Sequence, residues 1–333
     1  MITIAINGFG RIGRMVTRAL YESGRENEFK LVAINDLMTL EHRQHLFKFD
    51  SVHGPFPGTV ELSEDALTIN GQVVKLLSEP KPENLPWAEL GVDVVLECTG
   101  RFNSKAAASV HIEAGAKKVL CSAPVSNADN TIVFGVNDDT LTADHVIVSN
   151  ASCTTNCLSP VAQALDDAFG IVRGNMTTVH AYTADQMIMD GPHSDLYRAR
   201  AAGQNMIPTK TGAAAAVGLV LPKLQGKLDG MAVRVPTANV SLVDLSVIVD
   251  AEPSVEDVNA VLKARAEQTP GVVGYNTLPL VSSDFNHNAA SSTIDGTQTR
   301  VNGNLVKVMA WYDNEWGFSN RMLDTTAALV KAG

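Results

Sequence analysis

The stretch SNASCTTNC places Cys153 and Cys157 four residues apart among small hydroxyl residues. Cysteines at such spacing suggest three chemistries: a metal clip, a redox couple or a nucleophile. Zinc sites draw on Cys-x2–4-Cys pairs with matching Cys or His partners, and Cys98 and Cys121 form no such pair, so no metal site is read here. Cys-x-x-x-Cys is also not the Cys-x-x-Cys redox motif. Two buried, packed thiols are the plain alternative, and Cys157 is read that way. For Cys153 the local pattern says more. The strand-like HVIVS runs through Asn150-Ala151-Ser152 into a helical stretch, so Cys153 falls at a helix N-terminus, where the dipole and free N–H groups lower a thiol pKa. A thiol nucleophile needs a base. His180, in TTVHAYTADQ, follows after one helix and one returning strand, a spacing that permits contact without establishing it.

A second chemistry is written at the N-terminus. INGFGRIGR sets Gly8, Gly10 and Gly13 in a G-x-G-x-x-G pattern between a strand and a helix. A following strand ends at Asp36, 23 residues beyond Gly13. That is the spacing of a dinucleotide fingerprint: a tight turn, backbone approach to a pyrophosphate, close helix–strand packing, and an acid for a ribose 2′-OH. A carboxylate at Asp36 accepts from a 2′-OH and repels a 2′-phosphate, which favours NAD over NADP.

The elements that must position these residues divide the chain of 333 residues in two. Up to about residue 150 short apolar runs alternate with helical stretches. The strand candidates are 3–7, 31–35, 92–97, 118–121, 131–136 and 145–149, and the pattern indicates a largely parallel sheet covered on both faces. Beyond it come a helix over 154–169, long β-rich segments at 175–181 and 230–250, and a hairpin over 298–312 around Asn302-Gly303. These suggest an antiparallel sheet. The fold class is α/β, a Rossmann-type dinucleotide-binding domain plus an α+β catalytic domain. The first domain spans 1–150 and the second 151–313.

Composition narrows the partners. Hydrophobic residues make up 45% and charged residues 19%, an ordinary soluble balance. A net charge of −10 argues against a nucleic-acid surface as the main partner. No signal-peptide pattern and no apolar run of membrane-spanning length is read. Four cysteines in so long a chain point to a reducing, cytoplasmic setting.

The motifs also carry a resemblance. INGFGRIGR, AINDL, FDSVHGPF, SNASCTTNC, TTVHAYTADQ, DLYRARAAGQNMIPTKTGAA, MAVRVPT and WYDNEWGFSNR run from end to end. Together they resemble the phosphorylating glyceraldehyde-3-phosphate dehydrogenases, whose near relatives are the erythrose-4-phosphate dehydrogenases. The resemblance implies Cys153 as nucleophile and His180 as base, passing through a thiohemiacetal and a thioester that inorganic phosphate cleaves. It assigns Ser152, Thr154, Thr211 and Gly212 to the inorganic phosphate. Thr183 and Arg234 go to the substrate phosphate, with Arg198 as a further phosphate-facing arginine and Arg200 close to it in sequence. It places Arg11 and Ile12 along the NAD pyrophosphate, Ser122 on the nicotinamide-ribose side, and Asn314 at the carboxamide. It further implies that the C-terminal helix, 314–333, completes the first domain. The assembly implied is a homotetramer, with segment 182–206 lying against a neighbouring subunit's cofactor site.

Two features pull on the choice of aldehyde. Phe318 stands where the family usually has tyrosine, and NEWGFSNRMLDTT leans toward erythrose 4-phosphate. Thr183 and an intact Thr211-Gly212 favour glyceraldehyde 3-phosphate. A non-enzymatic, redox-sensing role would use Cys153 alone and leave His180 and the phosphate-type residues without a task.

Overall fold

A computed structural model describes all residues, Met1–Gly333. Two units emerge from it. The first contains 1–132, 138–151 and 319–333; the second contains 133–137 and 152–318.

The first unit begins β1 (Ile2–Asn7), α1 (Arg11–Glu22), β2 (Phe29–Asn35), α2 (Leu40–Lys48). Then follow β3 (Val60–Leu62), β4 (Ala66–Ile69), β5 (Gln72–Leu77), β6 (Val94–Glu97), the short helices α3 (Lys105–Ala108) and α4 (Val110–Glu113), β7 (Lys118–Cys121), β8 (Asn130–Thr131) and β9 (Ile147–Ser149). Its sheet runs β3-β4-β5-β2-β1-β6-β7-β9-β8. From β5 to β8 every pair is parallel, because each crossover passes over the sheet. Strand order reverses direction on either side of β1, so the C-terminal ends of β1, β2 and β6 open onto a crevice, the place where such sheets bind ligands. The central strands are apolar on both faces; Ile4, Ala5, Ile6, Val94, Val95 and Leu96 have no exposed surface.

The hairpin of β4 and β5, with β3 beside it, escapes a reading based on parallel-sheet periodicity. Its turn is Asn70-Gly71 with Asn70 at φ +48°, a two-residue hairpin signal that ALTINGQVVKLL carries openly. The strand expected over 131–136 is a correction in the other direction. Only Asn130–Thr131 is extended. Beyond it the chain turns, because the Asn137 carboxamide oxygen accepts from Val133 N (2.8 Å) and so closes a local loop.

The second unit comprises α5 (Cys153–Phe169), β10 (Ile171–Ala181), β11 (Ile207–Lys210), α6 (Ala213–Val220), β12 (Leu228–Val235), β13 (Ser241–Val249) and α7 (Val255–Gln268). It continues through β14 (Val273–Asn276), β15 (Ser292–Asp295), β16 (Arg300–Asn302) and β17 (Leu305–Tyr312). The sheet order is β11-β12-β10-β13-β17-β15-β14, with β16 paired to β17. It is mostly antiparallel, but β10–β12 and β14–β15 are parallel pairs. In β13 every second residue from Ser241 to Val249 is buried, the period of a strand with one covered face. Val243, Leu245 and Val247 there meet Val306, Val308 and Ala310 of β17, and Leu158, Val161 and Leu165 of α5 join the same core. Cys157 is part of that core, fully buried, with burial pushing its thiol up to about 12. The final helix, α8, is Trp316–Lys331.

Candidate active site

In the first unit, Asn7, Gly8, Gly10, Asn35, Asp36, Leu37, Thr99 and Phe102 are among the residues lining a groove of about 270 Å³. The turn after β1 must carry glycine at two places. Gly8 sits at φ +95°, and a Cβ there would meet Thr99 N at 2.7 Å. At Gly13 a Cβ would lie 2.1 Å from the Gly8 carbonyl oxygen, so only glycine lets α1 start this close to β1. Gly10 caps α1 with no side-chain bond, leaving the positive end of a twelve-residue helix to face an anion. Arg11 and Ile12 open that helix. The Arg11 guanidinium bonds Asp50, through Nη1–Oδ2 and through Nη2–Oδ1 at 3.3 Å. Burial alone would raise the Asp50 pKa, yet Arg11 and the N–H groups of His53 and Val52 outweigh it and hold the carboxyl at about 2. Asp36 accepts from Phe9 N (2.6 Å) and Met38 N (2.8 Å), which orients its carboxylate and leaves lone pairs for a further donor. Ser122 continues from β7, its N–H on the Glu97 carbonyl at 2.9 Å. These residues fit a dinucleotide: a groove, a helix end for the pyrophosphate and an acid for a ribose hydroxyl.

In the second unit, Ser152 caps α5 by accepting from Thr155 N at 3.1 Å, and Cys153 is the first helical residue. Cys153 Sγ lies 3.6 Å from His180 Nε2. His180 Nδ1 is 2.7 Å from the Ala181 carbonyl, which can only accept, so Nδ1 carries the proton and Nε2 points its lone pair at the thiol. Burial, then Arg234, push the His180 pKa down to about 3, so the ring is neutral and its Nε2 carries no proton. The thiol departs from the sequence reading. Burial pushes it up, while Arg234 and the Thr154 hydroxyl and N–H pull it back. A helix end in water lowers a thiol pKa; here desolvation is the larger effect.

Arg234 is the register partner of His180 across β10–β12, and its Nη1 donates to the Ala181 carbonyl (3.0 Å) and to Thr183 Oγ1 (3.3 Å). Its Nε is buried without a partner, a donor ready for an anion. Arg198 bonds Asp185 Oδ2 through Nη1 (2.5 Å) and Thr209 Oγ1 through Nε (3.0 Å). Arg200 instead pairs with Asp190 in an exposed bridge, so geometry separates the two arginines that sequence left close together. Thr211 Oγ1 accepts from Ala213 N (3.2 Å), and Gly212 caps α6. Ser152 Oγ contacts Thr155 Oγ1 (2.8 Å), which in turn donates to the Ala213 carbonyl (3.4 Å). Two helix N-termini and two hydroxyls thus converge, a natural anion cradle. Thr154 behaves differently from the reading that placed it with them: it is buried and its Oγ1 bonds Tyr312 OH at 2.8 Å. Its hydroxyl is shared between Tyr312 and the Cys153 sulfur, because position 154 lies on the inward side of the first helical turn.

Tyr312 is a site residue that sequence reasoning missed. Its hydroxyl also bonds Thr178 Oγ1 (2.8 Å), and its ring stands edge-on to His180 at 5.9 Å. The alternation of β17, with Val306, Val308, Ala310 and Tyr312 all inward, was a signal that could have found it. Ser241 was missed as well. It accepts from Ala181 N (3.0 Å) and donates to Asn314 Oδ1 (2.9 Å), which leaves the Asn314 amide nitrogen as a directed donor.

A dinucleotide-binding sheet joined in one chain to an α+β unit with a Cys–His pair and cationic neighbours defines a class: a cofactor-dependent oxidoreductase. Comparison with known proteins narrows this. Residues 2–105 match the family described as glyceraldehyde 3-phosphate dehydrogenase, NAD binding domain, and residues 152–314 match glyceraldehyde 3-phosphate dehydrogenase, C-terminal domain. The chain is 59% identical over 333 residues to the plasmid glyceraldehyde-3-phosphate dehydrogenase of Cupriavidus necator, covering 99% of each. It is 59% identical over 331 residues to that of Pseudomonas aeruginosa, again covering 99% of each. With the Geobacillus stearothermophilus enzyme it shares 53% identity over 335 residues, 100% of this chain and 99% of the relative. The chain belongs to the glyceraldehyde-3-phosphate dehydrogenase family, with an NAD-binding first domain and a catalytic second domain.

Proposed function

We propose that this chain catalyses the NAD-dependent oxidative phosphorylation of D-glyceraldehyde 3-phosphate to 1,3-bisphosphoglycerate, with Cys153 as nucleophile and His180 as base. The observation that carries the residue assignment is the 3.6 Å approach of Cys153 Sγ, at the N-terminus of α5, to the unprotonated Nε2 of neutral His180. His180 takes the thiol proton, the sulfur adds to the aldehyde carbon, and His180 returns that proton to the resulting oxyanion, giving a neutral thiohemiacetal. The oxyanion formed is met by backbone N–H at the start of α5. His180 then receives the hydroxyl proton as the carbon is oxidised to a thioester. NAD, when bound, supplies the hydride acceptor for that oxidation. Inorganic phosphate attacks the thioester carbonyl, the C–S bond breaks, and the acyl phosphate leaves with Cys153 regenerated.

Arg234, Thr183 and Arg198 serve the substrate phosphate. Ser152, Thr211 and Gly212 serve the inorganic phosphate, with Thr154 acting through its N–H and through Tyr312. Gly8, Gly10, Arg11, Ile12, Gly13, Asp36, Ser122 and Asn314 serve the cofactor. The names of the relatives favour glyceraldehyde 3-phosphate over erythrose 4-phosphate, and a purely redox-sensing role leaves Arg234 and the paired helix ends unused.

The deciding experiment is NADH formation from each aldehyde with phosphate or arsenate. The reading requires dependence on the acyl acceptor, a higher kcat/KM for glyceraldehyde 3-phosphate, and abolition by Cys153→Ser; turnover without phosphate would refute it.

The working form is a cytoplasmic homotetramer. Segment 182–206 supports this by exposing Ile188 (89%), Leu196 (81%) and Met206 (77%), apolar surface of the kind that marks an interface. No helix is long and apolar enough to cross a membrane. Light scattering tests the assembly, and a monomer at micromolar concentration would contradict it.

A further inference from the structure

Arg43, on α2, has no exposed surface, and a charge is costly to bury. What holds it is almost entirely backbone. Nε donates to the Met38 carbonyl (3.0 Å) and Nη1 to the Leu77 carbonyl (2.7 Å). Nη2 donates to the Asp36 carbonyl and to Ser78 Oγ (2.8 Å). The charge acting on it is the carboxylate of Asp36. One side chain therefore clamps both ends of the turn Asp36-Leu37-Met38 and ties that turn to the end of β5. From the other side, Phe9 N and Met38 N grip the carboxylate itself. Leu37, between the clamped residues, is 61% exposed and lines the groove.

We propose that Arg43 is a positioning residue for cofactor recognition, which presets the Asp36 carboxylate for the ribose 2′-hydroxyl of NAD and so sets the discrimination between NAD and NADP. This rests on the reading of Asp36 as the ribose acid. The physical reason lies in the difference between the two cofactors. A hydrogen bond to a 2′-hydroxyl demands a carboxylate held in direction and distance, which a three-residue turn on its own does not guarantee. Repulsion of a 2′-phosphate needs only a negative charge nearby. Loss of Arg43 leaves the carbonyls of residues 36 and 38 without this donor and the Leu77 carbonyl with only the Asp36 N–H (3.2 Å), the turn relaxes, and the directional interaction suffers first.

The test measures Kd by calorimetry for NAD, for NADP and for NAD lacking the adenosine 2′-hydroxyl, in the wild type, Arg43→Lys, Arg43→Met and Asp36→Asn. In Arg43→Met the NAD Kd should rise about tenfold, the cost of one lost charge-assisted hydrogen bond, while the NADP and 2′-deoxy-NAD values stay nearly unchanged. Arg43→Lys should recover part of the loss, and kcat at saturating NAD should hold. Melting curves establish that each variant is folded; where Arg43→Met is not, Arg43→Lys carries the comparison with the same ranking of cofactors. Equal weakening of all three cofactors, or unchanged NAD affinity in a folded Arg43 variant, overturns the proposal. If Asp36→Asn weakens NAD and the Arg43 variants do not, Arg43 alone is misassigned. If Asp36→Asn has no effect, the reading of Asp36 itself fails.

Discussion

His180 and Arg234 are register partners in the parallel pair β10–β12, and Arg234 Nη1 stands 3.1 Å from His180 Nδ1. One strand register thus fixes His180 and a cation together, and the cation adds to burial in keeping the imidazole unprotonated. Arg234→Gln should raise KM for the phosphorylated aldehyde by about 10- to 100-fold, the scale of one or two charge-assisted hydrogen bonds. It should also let the His180 pKa rise from its present value of about 3. An NMR titration of the His180 ring reads the second effect, and an unmoved pKa would refute the coupling.

His180→Asn removes the proposed acceptor of the thiol proton. We expect kcat to fall by roughly 10²- to 10⁴-fold, the usual contribution of general base catalysis. Alkylation of Cys153 by iodoacetamide at neutral pH should slow as well, because burial keeps the thiol protonated without its base. Unchanged alkylation would mean that the thiolate forms independently of His180.

Ser152→Ala removes the cap of α5, which should cost about 1 kcal/mol in urea unfolding. It also removes one hydroxyl from the paired helix ends. KM for inorganic phosphate should rise while KM for the aldehyde stays level; a rise in both would separate Ser152 from the phosphate cradle.

Tyr312→Phe leaves the buried hydroxyls of Thr154 and Thr178 without their shared partner. A loss of about 1–3 kcal/mol is expected from unsatisfied buried groups. The double change Tyr312→Phe with Thr178→Val should be less than additive, since both remove the same bond. Strict additivity would argue that the two groups do not interact.

Asp50, paired with Arg11, sets a pH dependence. Its folded pKa of about 2 lies below the ordinary 3.8, so its contribution to stability is complete above about pH 4 and is lost as pH falls through 3.8 toward 2. Asp50→Asn should flatten the stability curve over that window, and at neutral pH it should weaken NAD binding by releasing Arg11. A variant whose acid sensitivity matches the wild type would show that other carboxylates dominate.

Local patterns with a fixed period made much of this protein legible in its sequence. Gly8, Gly10 and Gly13 and the distance to Asp36 determined the dinucleotide turn, because a 2.1 Å approach leaves no alternative to glycine at position 13. The alternation from Ser241 to Val249 determined a half-covered sheet, and the strand-to-helix turn before Cys153 determined that this thiol sits at a helix N-terminus. The tertiary structure decided what depends on partners distant in sequence. It separated Arg198 from Arg200 through Asp185 and Asp190. It turned Thr154 inward onto Tyr312, 158 residues away. It also reversed the direction of the Cys153 pKa. A helix N-terminus is a local property that sequence can show, whereas desolvation depends on every group packed around the sulfur, and only the folded chain brings those together.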